Sequence, residues 1–476
     1  MKTKEKIIIV TILLLAMIGG FFGWKYYTES YITIDETIYR RDITYLNLSG
    51  RTVNQLELIE QLQQLQTLNM KGTKITIDQY NTLRAALPNC EIQWDVPFQG
   101  GYISYDTPSL TLTHLSKEDI DLLQYLPEIE SINALDCEDY PEIMLLKERY
   151  PEYDVAYSVT VGDKQYSHTT SSITVRDIHP DLLDEMLPYL PNVTAIEFKQ
   201  KDIPFERLVA FANAHPDIAV NFKMDFMGQE CHFLDTEVDI SYTKLENVDE
   251  VEALAVQMPN LKKVIMSYCG ISNEDMDALN RRHEDILFVW TVQLGSRMTL
   301  RTDADYFMPI KYDGHATSSN TYNLRYCTEL LVIDVGHMEV YDLSFLQYTP
   351  KLKYLILADS QIRDISYISH CKELIFLELF LTAVNDYSPL LSCTKLEDLN
   401  ICYTKGDPEI IMQMPWLKRL WWSGNGLSIP QMDAVKAALP NTEIVFNTWG
   451  ATDKGWRQGQ NYFDMRDILG MYYMPF

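Results

Sequence analysis

Apolar residues fall into evenly spaced columns in the C-terminal half of the chain. Leu330, Leu352, Leu374 and Leu396 follow one another at intervals of 22, and Leu417 comes 21 later. Ile333, Leu355, Leu377, Leu399 and Leu420 keep the same step, as do Val335, Leu357, Leu379, Ile401 and Trp422. Each unit therefore reads LxxLxL. Val340, Ile362 and Val384 extend the pattern, with Asp342, Asp364 and Asp386 two residues further on. Alternation inside LxxLxL predicts a short strand with one face turned inward, and a fixed period predicts that neighbouring strands stack on a shared core.

The N-terminal half carries a looser version. Ile43, Leu46 and Leu48 recur as Leu65, Leu68 and Met70. A longer module is laid over it, in which a helix-like stretch ends near a Pro and an apolar strand follows. The strand reads EIQWDV from Glu91, DVAYSV from Asp154, AVNFKM from Ala219, LFVWTV from Leu287 and EIVFNT from Glu443. Gly100, Gly162, Gly228 and Gly295 come shortly after the first four, which predicts a turn with positive φ.

These features resemble the leucine-rich-repeat family, whose units read LxxLxLxxNxL, and within it the internalin-like bacterial branch with 22-residue units. The Asn column departs from that pattern. Met338, Ser360, Thr382 and Thr404 stand there, with Asn only at 425. Ser and Thr can still bond the turn backbone. The phrases MSYCGISNEDMDAL, FVWTVQLGSRMTLRTDADYF and KGWRQGQNYFDMRDILGMYYM resemble large surface proteins of Gram-positive anaerobes. The resemblance implies an α/β solenoid: a leucine-rich-repeat array with a concave parallel β-sheet, helices or irregular turns on the convex side, and one transmembrane helix before it. It carries no catalytic residue to transfer.

Lys2, Lys4 and Lys6 precede an uncharged apolar run from Ile7 to Trp24, with Tyr26 and Tyr27 behind it. As a helix these 18 residues span about 27 Å, close to the hydrocarbon thickness of a bilayer. The lysines place the N-terminus in the cytoplasm and the bulk of the chain outside a cell membrane. A cleaved signal peptide is the alternative, though no AxA-like site follows the run. The expected organisation is a cytoplasmic tail (1–6), an anchor (7–24), a linker or N-cap (25–42), irregular repeat modules (43–302), regular repeats (303–449) and a C-terminal cap over the last repeat (450–476).

Composition narrows the function. A net charge of -27 with no basic run argues against nucleic acid. No GxSxG, P-loop, GxGxxG after a strand or HExxH is present, so no enzyme and no cofactor is expected. Acidic groups around Asp136, Glu138, Asp139 and Glu142, and around Glu246, Asp249, Glu250 and Glu252, could hold Ca²⁺ but lack EF-hand spacing, and solvated faces account for them. Of eight cysteines, Cys327, Cys371 and Cys393 occupy one repeat column shared with Thr349, which reads as buried small side chains. Stacking could bring Cys371 and Cys393 within disulfide reach. The anaerobic resemblance implies thiols instead.

The residues between the inward columns face the concave side. There Tyr354, Ile356, Phe376, Phe380 and Trp421 gather around Glu378 and Asn400, with Arg419 at the edge. An aromatic centre with a polar rim is how protein-contact surfaces are built. The expectation is an open binding face for a protein partner or surface ligand, with cell-wall or host glycan as the alternative ligand. The other reading is that the tail, or the segment near His315, folds back over the patch.

Overall fold

A computed structural model describes residues 2–176, 178–199, 202–309, 315–449 and 453–471. The chain forms two units, Met1–Asn221 and Phe222–Phe476. The transition from irregular to regular repeats expected near residue 302 falls inside the second.

In the first unit the apolar run lies within a helix, Lys2–Ser30, which continues past Trp24 and is exposed along the run. It is long and apolar enough to cross a membrane, as a signal sequence also is. A small antiparallel hairpin, Tyr31–Ile34 with Thr37–Arg40, occupies much of the expected linker. Repeats then begin. Tyr45–Asn47, Thr67–Asn69 and Glu91–Gln93 pair in parallel with Leu46, Leu68 and Ile92 in register. The module repeats with Ser109–Thr111, Ser131–Ala134 and Asp154–Val161, aligning Leu110, Ile132 and Val155.

The glycines predicted to follow these strands do have positive φ, and they turn hairpins. Asp95–Phe98 folds back on Gly101–Ser104 around Gln99 and Gly100, and Asp154–Val161 on Lys164–Ser167 around Gly162. Each long module is thus parallel strands closed by an antiparallel arm. Helices in these modules start where the sequence supplies caps. Thr76 with Gln79 and Ser116 with Asp119 form capping boxes that satisfy the first backbone N–H groups.

The second unit holds one further long module, with Glu237–Asp239, Lys263–Ile265 and Leu287–Val289 in parallel and the arm Thr291–Leu294 with Met298–Arg301. A seven-stranded parallel sheet follows: Tyr306–Phe307, Val332–Asp334, Tyr354–Ile356, Phe376–Glu378, Asp398–Asn400, Arg419–Trp421 and Glu443–Val445. Ile333, Leu355, Leu377, Leu399, Leu420 and Ile444 align across it. Leu377 and Leu379 are fully buried, as the columns require.

The polar columns close the turns. Asp342, Asp364 and Asp386 each accept a bond from the backbone N–H of the Ser two residues on, at 2.8 Å, and so start short 3₁₀ turns on the side opposite the strands. Ser360, Thr382 and Thr404 donate to Leu357, Leu379 and Ile401 carbonyls at 2.6, 2.9 and 2.7 Å, doing with hydroxyls what Asn425 does with its amide toward Trp422. All eight cysteines are buried free thiols. Burial pushes the Cys327 and Cys371 thiols up to about 12, so they are poor nucleophiles.

Candidate functional site

Alternation along the strands brings Tyr354, Ile356, Phe376, Glu378, Phe380, Asn400, Arg419 and Trp421 to one face of the seven-stranded sheet, as the spacing demanded. That face is not open. Tyr354, Ile356, Phe376, Glu378, Asn400 and Trp421 are buried, while Phe380 and Arg419 are half-buried. The cover is the C-terminal tail. Trp456, Tyr462, Met465 and Leu469 form one apolar cluster with Val332, Tyr354, Ile356, Phe376, Cys402 and Trp421. The tail was expected to cap the last repeat, but it lies across the strand faces. The strand face carries contiguous aromatic side chains, an apolar surface that is stabilised by a cover.

The tail helix, Gln460–Ile468, buries Tyr462, Met465 and Leu469, which are spaced three and four residues apart, while Phe463 points outward. Its approach depends on Gly459. A Cβ there would lie 1.9 Å from Nη1 of Arg419, so a side chain would displace the guanidinium from its present position.

Trp456 is the anchor. Its ring sits 5.0 Å from Phe376 and 5.3 Å from Trp421, and its Nε1 donates to Oε2 of Glu378 at 3.0 Å. Arg419 clamps the same point. Its Nη2 donates to the carbonyls of Gly455 at 2.7 Å and Trp456 at 3.0 Å, its Nη1 to Asp398 at 3.2 Å, and its guanidinium lies over the Trp421 and Trp456 rings. Asn461 donates to Glu397 at 3.2 Å.

Charge is buried here at a cost. Glu378 is only 1 % exposed, and burial raises its carboxyl above the ordinary range against the opposing pull of the Trp456 bond and nearby Arg457. Burial likewise raises Asp398 and Asp334, in spite of Arg419 beside the former. Asn400 Nδ2, Trp421 Nε1, Ser423 Oγ and Arg457 Nε are buried with no hydrogen-bond partner among the described residues. Polar atoms left without partners are uncommon in purely structural cores.

Sequence reasoning missed Trp456, Gly459, Arg457, Asp334 and Asp398 as members of the site. The apolar stripe of the tail was visible, but nothing local says which surface it meets. One member of each acidic group considered for Ca²⁺ is engaged otherwise. Asp139 accepts bonds from the Leu115 N–H at 2.8 Å and pairs with His114, while Glu252 pairs with Arg282 and His283, which hold its carboxyl down at about 2. Among the described residues no group of three or more His, Cys, Asp or Glu is placed to hold a metal.

Parallel strands in 22-residue register, closed by hydroxyl- and amide-bonded turns, define a leucine-rich-repeat fold. No protein-family profile matches the chain, and no characterised protein matches its sequence. Solved structures similar to it include an internalin of Listeria monocytogenes (15 % identity, 87 % of this chain and 90 % of that one, TM-score 0.26). Internalin C2 of the same organism is similar at 17 % identity over 44 % of this chain and 80 % of that one, TM-score 0.26. A leucine-rich-repeat protein of Leptospira interrogans is similar at 14 % identity over 85 % and 90 %, TM-score 0.26. The fold assignment rests on the strand registers above.

Proposed function

We propose that the chain is an extracellular scaffold, held to a membrane by its N-terminal helix, that binds a protein or peptide ligand along the sheet face of its regular repeats and performs no catalysis. One arrangement carries this reading. That face already holds an amphipathic helix with a tryptophan anchor, a buried carboxyl receiving the indole N–H, and an arginine fastened on the chain entering the helix. This is helix-in-groove recognition made within one chain. A partner presenting a similar helix would compete with the tail.

The test compares the full chain with one ending at Trp449, using a synthetic peptide of residues 453–471 as the probe. The shortened chain should capture the peptide and the full chain should not, because its groove is filled. Failure of a folded shortened chain to bind would refute the reading. For the topology, protease added to intact cells should remove everything beyond the anchor, and protection of the repeats would place them inside.

A second reading, glycan binding, is favoured by one feature. Tyr242 and Tyr268 are 77 % and 55 % exposed, both have positive φ, and their rings stack at 5.2 Å. His337, Asp359, Leu381 and Tyr403 share that conformation at the same repeat position, so it belongs to the turn, and it is the exposed stacked pair of rings that favours this reading. Screening the full chain on a glycan array, with Tyr242→Ala as control, separates this reading from the first.

A further inference from the structure

Between the tail and the C-terminal ends of the strands lies a cavity of about 440 Å³. Asp334, Glu378 and Arg457 supply its charge, and Ile356, Phe380 and Met465 supply apolar wall. We propose that this cavity binds a small zwitterion, an α-amino acid or dipeptide with an apolar side chain.

The charges are only partly used. Among the described residues, of the two Glu378 oxygens only Oε2 accepts a hydrogen bond, from Trp456, and of the two Asp334 oxygens only Oδ1 does, from the Gly336 N–H at 3.0 Å. Glu378 is buried and Asp334 half-buried, and the Asp334 charge adds to the cost of ionising Glu378. Among the described residues Arg457 makes no ion pair with either and its Nε is buried without a hydrogen-bond partner, its guanidinium lying 5.6 Å from the Tyr462 ring centre. The other basic side chains lining the cavity are engaged: His337 pairs with Asp359 at 2.9 Å, and Arg466 donates to the Met471 carbonyl at 2.6 Å.

Arg457 acts on both carboxyls from a distance without contacting either, so two carboxyls lacking a cation in contact and one guanidinium lacking an anion in contact share a cavity, and a ligand carrying an ammonium and a carboxylate would satisfy both. Desolvated polar groups left unpaired are costly, so the ligand that pairs them gains the most. The volume is in the range of small-molecule sites and suits a single amino acid or dipeptide. Gly336 keeps the wall back, since a Cβ there would come within 3.3 Å of Asp334 Oδ1 and of Ile356. A divalent metal is the poorer fit, because no third ligating side chain joins the two carboxyls among the described residues. The tail forms one wall of the cavity, so the inference concerns the tail-docked chain, and it can be tested on that form whether or not a protein partner competes for the groove.

The experiment is calorimetry on the full chain in detergent. The probes are L-methionine and leucyl-leucine, with isopentylamine as the amine-only control and isovalerate as the acid-only control. The expected result is saturable binding of at least one zwitterion, at least roughly tenfold tighter than either single-charge control. Glu378→Gln and Arg457→Gln should each weaken it by about tenfold or more. Arg457→Gln keeps the test open if Glu378→Gln fails to fold, since the Arg457 side chain has no hydrogen bond to lose. Absence of saturable zwitterion binding at millimolar concentration, equal binding of a single-charge control, or affinity unchanged in Arg457→Gln would each overturn the proposal.

Discussion

The sheet faces of the first unit and the seven-stranded sheet of the second are built from the same strand grammar and end in opposite conditions. In the first unit the outward positions are Tyr45, Asn47, Thr67, Asn69, Glu91 and Gln93, then Ser109, Thr111, Ser131 and Asn133, and none of them is buried. At the equivalent positions of the seven-stranded sheet, Tyr354, Ile356, Phe376, Glu378, Asp398, Asn400 and Trp421 are buried, while Asp334 and Arg419 are half-buried and Glu443 at the last strand is exposed. Polar side chains on a sheet face are satisfied by water, whereas contiguous aromatics are not and need a second layer. Side-chain chemistry at outward positions thus divides a face that can stand alone from one that must be covered.

The most damaging way to break this comparison is to treat the covered face as if it were open. Phe376→Ser or Trp421→Ser should each cost roughly 3–5 kcal/mol, as buried aromatic truncations do. Together they should not add simply, because both rings touch Trp456. Thermal melting measures this, and unchanged melting temperatures would mean the tail does not rest there. Leu377→Ala, on the inward side of the same strand, should cost about 2–5 kcal/mol and soften the adjoining repeats.

Trp456→Phe keeps an aromatic ring but removes the indole N–H and part of the bulk. It leaves the buried Glu378 without its only donor among the described residues and should cost about 1–3 kcal/mol. Limited proteolysis should show earlier release of the tail. Full retention would mean that packing alone holds it.

Acidity sharpens the comparison further. Burial raises Glu378, Asp334 and Asp398, so the folded, tail-docked state holds protons more tightly than the unfolded chain. The stability they contribute is fully present below the ordinary carboxyl range and is lost as pH rises through their raised folded values. Tail protection should therefore weaken from roughly pH 4 upward, and Glu378→Gln should flatten part of that slope. Protease sensitivity of the tail that is independent of pH would contradict it. At the small end, Tyr45→Ser, on an outward position that is 55 % exposed, should change stability by no more than about 0.5 kcal/mol.

Much was legible without coordinates. A period of 22 with three apolar columns implies stacked parallel strands, because no other arrangement gives every Leu of a column the same environment. The Ser and Thr column pointed to turn-backbone bonds, which are where the spacing put them, whereas the Asp column was visible as a repeat and its carboxylate bonds at the 3₁₀ turns were not. The long module with its glycine was visible too, although its hairpin was not, since a positive-φ glycine marks a turn without saying which strand pairs across it.

Sequence alone therefore determined the repeat, the register and which side chains share a face, since all of these are local and periodic. Only the tertiary structure decided what lies on that face. Trp456 meets Glu378 across 78 residues of chain, and Gly459 lies against the Arg419 guanidinium, where a Cβ would collide with it. Such contacts leave no periodic trace. They depend on the match of one apolar stripe to one apolar surface, and that match exists only once both have folded.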